Sequence, residues 1–363
     1  MHLALVIYGS LDEISGGFLY DRQLVAHLQQ RGHRVTTIAL PWRSYARSLA
    51  DNVSRHLTRT LGNPAFDLIL QDELVHPSFV QLNRRLQRAK PVPIVALIHL
   101  LRSSENRTGG VRRLYAWIER RYLGSVKGFI YVNRHIENRV HSMLRVSPPG
   151  VVAHPAGDHL VAELTPEAVV CRAQRPGPLE IIFVGNLTPL KGLHTVIAAL
   201  RHLPAETWHL TVIGSLERDT AYVRQMRRAI KEVGAEKNVD LLGVLSHADV
   251  AAHLAQSDVF AVPSNPESYS IAYLEAMRHG LPIMAHAQSD SADLVEHGVS
   301  GFCIEPNDVV GLAKHLRSLA QNRQGLAHMS LAALKRAASL PTWEQSMQGA
   351  VQFLEHMAAT HRG

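Results

Sequence analysis

Glu267 and Glu275 stand eight positions apart in the stretch DVFAVPSNPESYSIAYLEAMRHGLP, where an apolar run (259–262) gives way to a loop and then to a helix from about Ile271. A wholly helical path would separate them by about 12 Å, so they cannot share one proton or one metal ion. They can hold the two ends of an elongated polar ligand, with the backbone amides of Ser268, Tyr269, Ser270 and Ile271 gripping an anion between them. A sugar and a ribose joined by a diphosphate have that layout. The bland alternative for Glu275 is an exposed helix residue. Leu274, Ala276 and Met277 surround it with an apolar stretch, which argues against mere solvation.

Other chemistry-bearing residues fall at similar places. The run IIFVG leads into Asn186-Leu187-Thr188-Pro189-Leu190-Lys191-Gly192, so Lys191 stands at the mouth of a strand-to-helix turn, where its ammonium can neutralise a phosphate. Gly16 and Gly17 precede a helix and let backbone amides approach an anion at its N-terminus, although a plain tight turn explains a glycine pair as well. His99 ends the apolar run 94–100. With twenty-two histidines in the chain, a satisfied buried imidazole is its ordinary reading. There is no GxGxxG, which argues against a nicotinamide site. A DxD metal triad is absent: Asp290 and Asp293 are three apart, and Asp72 neighbours Glu73.

The elements that must present these groups are short runs of Val, Ile and Leu separated by helix-length segments. Six lie in the first half (3–8, 34–40, 67–70, 94–100, 128–132, 151–154) and six in the second (180–184, 209–213, 239–242, 259–262, 282–285, 301–304). Unbroken apolar strands alternating with helices imply an α/β fold of parallel sheets covered on both faces, here two doubly wound Rossmann-like domains. A length of 363 residues suits two cores. The polar segment 165–178, with three prolines, reads as the linker. The expected domains are 1–168 and 177–342. In open α/β sheets ligands bind beyond the carboxyl ends of the strands, so the expected site is a cleft between the two domains.

Composition narrows the partners. The longest apolar run, 91–101, is too short to span a bilayer, and the apolar start MHLALVIYG lacks a basic leader and reads as a strand. Cys171 and Cys303 form no metal spacing and no disulfide framework, so a reducing cytoplasm is the default compartment. Residues 1–170 hold 21 Lys and Arg against 13 Asp and Glu, whereas residues 171–363 hold 17 against 18. That asymmetry points the first half towards an acidic surface or ligand. No nucleic-acid module is present. In GGVRRLYAWIERRYL (109–123) Leu114, Trp117, Ile118 and Arg121 form one helical row bordered by Arg112, Arg113 and Arg120. Such a helix either packs its stripe on its own sheet or lies peripherally in an anionic membrane interface.

The segment holding Glu267 and Glu275 resembles the Glu-x7-Glu signature of family 4 retaining glycosyltransferases, the GT-B enzymes also called glycosyl transferases group 1. GGFLYDRQLVAHLQQRGHRV, IVALIHLLRSSE, FIYVNRHI, HPAGD, FVGNLTPLKG, GVLSHADVAAHLAQSDVFAVPS and EHGVSGFCIEPND resemble its further marks, in order and over nearly the whole chain. The resemblance implies transfer of a hexose-type sugar from a nucleotide-diphosphate donor to a glycan, lipid-linked or small-molecule acceptor, with no cofactor and no metal. It assigns Gly16 and Gly17 to the donor diphosphate and acceptor side, with His99 on the transferred sugar. Lys191, in the diphosphate loop with Gly185 and Asn186, would pair with the phosphates. Glu267 would take sugar hydroxyls and Glu275 ribose hydroxyls, while the Ser268, Tyr269, Ser270 and Ile271 amides cap the diphosphate. It also implies that a C-terminal helix (343–363) crosses back onto the first domain.

Two departures from the family pattern stand out. Asn186 occupies a position where the family has Arg, and loss of such a charge-assisted contact is worth about 1.5–3 kcal/mol unless Arg102 or Arg134 replaces it. Gln288-Ser289-Asp290-Ser291-Ala292-Asp293 replaces the usual glycine pair and Glu. The rival readings are a nucleotide-sugar epimerase of the same architecture and a degenerate subunit that binds a nucleotide sugar without turning it over.

Overall fold

Short Val, Ile and Leu runs form strands here because each is too brief to bury a helix and rich in residues that fit a pleated, covered surface. In the computed structural model, which describes residues 1–89, 92–104, 109–160, 164–264 and 269–360, the twelve runs become twelve strands within two residues of the expected bounds. They belong to two compact units, Met1–Pro155 with Trp343–Gly363, and Ala156–Thr342.

The sheet of the first unit contains β1 (His2–Tyr8), β2 (Arg34–Leu40), β3 (Leu68–Asp72), β4 (Ile94–Ile98), β5 (Gly128–Tyr131) and β6 (Gly150–Val152), in the order β2-β1-β3-β4-β5-β6. Every pairing is parallel. The chain reverses its direction of winding between β1 and β3, and the carboxyl ends of those strands frame a natural ligand crevice. The helix Gly16–Gln30 covers the sheet. Ser15 starts it by accepting a hydrogen bond from the Phe18 amide. The last helix, Trp343–Thr360, packs on Gly16–Gln30: the Trp343 ring lies edge-on to Tyr20 at 5.6 Å, and His33 Nε2 is 2.8 Å from Glu355 Oε1.

The second unit repeats the plan with β7 (Leu179–Val184), β8 (Trp208–Ile213), β9 (Val239–Gly243), β10 (Val259–Ala261), β11 (Ile283–His286) and β12 (Gly301–Ile304), ordered β12-β11-β10-β7-β8-β9 and all parallel. Its switch point lies between β7 and β10. The loops after these two strands are the ones singled out above for Lys191 and for the carboxylate pair.

The segment 165–178 is not a linker. Thr165 caps a helix, Pro166–Ala173, by accepting from the Ala168 amide. Val169 is buried, and the Arg172 guanidinium donates to the carbonyls of His279 (2.8 Å) and Gly280 (2.9 Å). Burial lowers this guanidinium to about 10. Composition misleads here because a proline is at home in the first turn of a helix as well as in a linker. The boundary between the units falls at Pro155/Ala156 rather than at 168.

Candidate functional site

In the second unit the polypeptide leaves β7 through Gly185, whose amide donates to the Ile213 carbonyl at 2.9 Å, and passes Asn186 into a short 3-10 turn, Pro189–Lys191. The Lys191 stem folds back over Gly185: a β-carbon placed on Gly185 would meet Lys191 Cγ and Cδ at 3.7 Å. Gly192 then adopts φ +78° and begins the helix Leu193–Leu200. A side chain at 192 would be strained by that φ and would also meet the Pro263 carbonyl oxygen at 2.6 Å. The loop after β7 therefore lies directly against the loop after β10.

Beyond Pro263 and Ser264 the path to Glu267 and Ser268 lies outside the described residues. The chain is described again from Tyr269, and the helix Ile271–Arg278 follows. Ser270 precedes the first turn but makes no side-chain capping bond. The start of this helix carries the positive end of its dipole, the end that suits an anion. Burial pushes the Tyr269 hydroxyl up to about 12, partly opposed by Arg336, so this phenol stays protonated and can donate.

Glu275 is not a solvated helix residue. Its side chain is only 12% exposed, and Oε1 lies 3.0 Å from His159 Nε2. His159 in turn stands edge-on to His247 at 5.7 Å. The backbone at Gly157 makes this pairing feasible. A β-carbon there would come within 2.6 Å of the Glu275 amide nitrogen and 2.9 Å of Leu274 Cβ. We expect Gly157→Ala to destabilise the second unit by about 1–3 kcal/mol through overpacking, read as a lower urea midpoint. A wild-type midpoint would mean that the contact relaxes freely. His159 is a residue that sequence reasoning missed. HPAGD (154–158) was read as part of the first domain, whereas residues from Ala156 on belong to the second unit.

In the first unit His99 follows β4 directly, at the strand end expected. Its Nε2 lies 3.3 Å from Asp21 Oδ1 and 3.5 Å from Asp72 Oδ2. Its backbone N–H donates to Glu73 Oε2 at 2.9 Å. Tyr20 packs edge-on against the ring at 5.2 Å. Gly17, in the first turn of its helix, also lies against the ring: a β-carbon there would sit 3.7 Å from His99 Cδ2. Burial opposes a charged imidazole, but Glu73, Asp21 and Asp72 outweigh it and raise His99 to about 10. Burial, Glu73 and Asp21 hold the Asp72 carboxyl well above its usual range. Glu73 is pushed up to about 7, mainly by burial. At neutral pH this is an imidazolium embedded among three carboxyls. Asp21, Asp72 and His99 also offer ligand atoms within 4.8 Å of one another, close enough to hold a cation. Sequence reading missed Asp21, although an acidic residue inside the apolar face FLYDRQL was a signal.

The two arginines considered as phosphate partners each have neighbours within the first unit. The Arg102 guanidinium stacks over the rings of Tyr115 (5.7 Å) and Tyr45 (5.9 Å). Arg134 is an exposed residue at the start of its helix, 3.5 Å from Glu137.

Comparison with known proteins follows the same division. Residues 172–336 match the family model of glycosyl transferases group 1. Over 157 residues, 40% of this chain, the sequence is 34% identical to the putative colanic acid biosynthesis glycosyltransferase WcaL of Salmonella typhimurium. That match spans 37% of WcaL's own length. In fold, the chain resembles the sucrose-phosphate synthase of Thermosynechococcus elongatus, with a TM-score of 0.83, 17% identity and 99% of both chains covered. It also resembles Anabaena HepE, solved in complex with UDP-glucose, with a TM-score of 0.74, 18% identity, and 98% and 100% covered. The α/β architecture of two parallel six-stranded sheets is thus one shared with glycosyltransferases of the GT-B fold. Gly185, Lys191 and Glu275 all lie within the stretch, residues 172–336, that matches the glycosyl transferases group 1 family model.

Proposed function

We propose that this protein is a retaining, family 4 glycosyltransferase that moves a hexose-type sugar from a nucleotide-diphosphate donor to a glycan, lipid-linked or small-molecule acceptor. The observation that carries this reading is the close approach of Gly192 to Pro263. It sets the Lys191 loop beside the strand end that leads to Glu267 and to the uncapped helix start at Ser270. In this reading Lys191, with Gly185 and Asn186, receives the diphosphate, and the amides of Ser268, Tyr269, Ser270 and Ile271 cap it. Glu275, held by His159, takes the ribose hydroxyls, and Glu267 takes hydroxyls of the sugar. In the first unit Gly16, Gly17 and His99 serve the donor and the transferred sugar.

Transfer with retention then proceeds by front-face attack. The acceptor oxygen bonds to the anomeric carbon as the bond to the diphosphate oxygen breaks, and the acceptor proton passes to the departing phosphate. Charge developing on that phosphate is met by a prearranged ammonium and backbone dipoles, which need no reorganisation. Incubation with UDP-, GDP- and ADP-sugars tests the proposal. Release of nucleoside diphosphate should depend on an added acceptor extract. Conversion of the donor sugar without release would instead identify an epimerase, and binding without either would identify a degenerate subunit.

The reaction as proposed uses no cofactor and no metal. His99 Nε2 gives Asp21 and Asp72 a partner within 3.5 Å, and the reading asks no cation of them. Chelation with EDTA should therefore leave initial rates nearly unchanged. Activity lost to EDTA and restored by manganese or magnesium would reassign Asp21, Asp72 and His99 as metal ligands.

The acceptor and location form the last part of the reading. Among the described residues no helix is long and apolar enough to cross a membrane. The basic first half and the arginine-bordered Gly109–Leu123 helix support a cytoplasmic protein that associates peripherally with an anionic membrane. There it would meet a lipid-linked or membrane-proximal acceptor; nucleic acid plays no part.

A further inference from the structure

The row Leu114, Trp117, Ile118, Arg121 does not pack wholly on its own sheet. Ile118 is buried, but Leu114 and Trp117 are each 53% exposed. They form one wall of a groove of about 650 Å³ on the first unit, whose facing wall comes from the helix Leu82–Ala89. Arg84, Arg85, Arg88 and Arg121 line this groove, and among the described residues no carboxylate does. Arg85 is fixed in place by donating to the Asn52 carbonyl at 2.9 Å. The Arg121 guanidinium lies 4.6 Å from the centre of the Trp117 ring. Arg84 and Arg88 are exposed and have no ion-pair partner among the described residues.

Four guanidinium groups gathered without a counter-charge repel one another, and exposed Leu and Trp beside them lose the gain of burial. Both deficits are removed by one occupant, an anion attached to an apolar body. The volume is that of a small-molecule site rather than a surface dimple. A half-exposed indole beside guanidinium groups is the arrangement suited to the boundary between headgroups and acyl chains. A soluble phosphopeptide or nucleic acid would satisfy the arginines but leave Leu114 and Trp117 wet.

We propose that this groove seats the phosphate of an anionic phospholipid, with Leu114 and Trp117 entering the acyl region, and so docks the protein on a bilayer. This rests on the membrane reading above and assigns it a surface. It is independent of the sugar-transfer reading, since no residue of the groove is among those given to the donor.

Flotation of the full chain with vesicles of pure phosphatidylcholine, and of phosphatidylcholine with one-third phosphatidylglycerol, tests it. Binding should be seen with the anionic vesicles and should fall roughly fivefold for each arginine charge removed, and further for each one reversed. The groove variant R84E/R88E should lose most of it. R112E/R113E, on the same helix as Trp117 but outside the groove, should lose less. Trp117→Ser should weaken binding at constant charge, a readout that general electrostatic attraction would not move. Nucleotide release from soluble donor with the acceptor extract, without vesicles, should be unchanged in R84E/R88E, which also shows that the variant is folded. Equal losses from both double variants, with no effect of Trp117→Ser, would leave the membrane reading standing and overturn the groove. Absence of flotation with either vesicle type would overturn both. Protection of the groove arginines from chemical modification by inorganic phosphate as effectively as by anionic vesicles would reassign it to a soluble anion.

Discussion

Lys191→Ala should lower turnover on every nucleotide-sugar donor by about 10²–10³-fold, the usual loss when one prearranged donor to a developing oxyanion is removed. The argument rests on position. Lys191 stands at the switch point of the second sheet, its stem packed over Gly185 and its loop held against Pro263 by Gly192. Melting of the variant, measured beside its kinetics, separates a lost phosphate contact from a lost structural one. The effect of the substitution should fall on kcat more than on KM, because charge on the phosphate is greatest as the bond to the sugar breaks. Lys191→Arg should restore only part of the rate, since a planar fork on a different stem cannot reproduce a point charge. Glu275→Ala should differ in kind. It should weaken binding of donor and of free nucleoside diphosphate alike, because a hydroxyl contact to ribose exists before and after transfer. Wild-type kinetics in both variants would show the site to be misassigned.

The second large effect is expected at His99. With the imidazolium removed, Asp21, Asp72 and Glu73 are left buried without a positive partner, and breaking such a set typically destabilises by about 3–5 kcal/mol. The pH sense follows from the shifts. His99 is raised to about 10, so its contribution to stability is complete below its unfolded pKa of about 6.5 and is lost as pH rises through 10. Asp72 and Glu73 are also raised, Glu73 to about 7. The folded protein holds their protons more tightly than the unfolded chain, and stability falls as pH rises from about 4 to 7. Both effects run in the same direction. Urea midpoints of His99→Ala should therefore lie furthest below wild type near pH 6 and approach it near pH 10, where wild type loses the imidazolium as well. Equal midpoints of variant and wild type at both pH values would sink the account of an imidazolium held by carboxylates. Asp72→Asn should leave one fewer negative neighbour and so narrow the pH range over which His99 stays charged.

Much of the fold was legible because its signals are local. The strands β7 and β10, the turn at Lys191-Gly192 and the helix from Ile271 each announce themselves within a few residues, through an apolar run, a glycine with positive φ or a change of hydrophobic period. The segment 165–178 was misread for the same reason: its prolines fit a helix start and a linker equally, and only the burial of Arg172 against the His279 and Gly280 carbonyls separates them. Charge was legible as a total, whereas its concentration was not. The sequence counts the arginines of the first half, but the groove exists because Leu82–Ala89 and Gly109–Leu123 come side by side.

By itself, then, the sequence determined the two parallel-sheet units, the order of their strands along the chain, and the placement of Lys191, His99 and the helix carrying Glu275 at strand ends. Tertiary structure alone decided which distant groups meet. Asp21, Asp72 and Glu73 surround His99 because β3 and β4 are neighbours in the sheet and the Gly16–Gln30 helix covers their ends. His159 reaches Glu275 because the chain after Pro155 joins the second unit at Gly157, where only a missing side chain lets the backbones touch. Backbone preferences and hydrophobic periods act over a few residues, whereas such meetings depend on sheet order and on close packing between segments far apart in the chain.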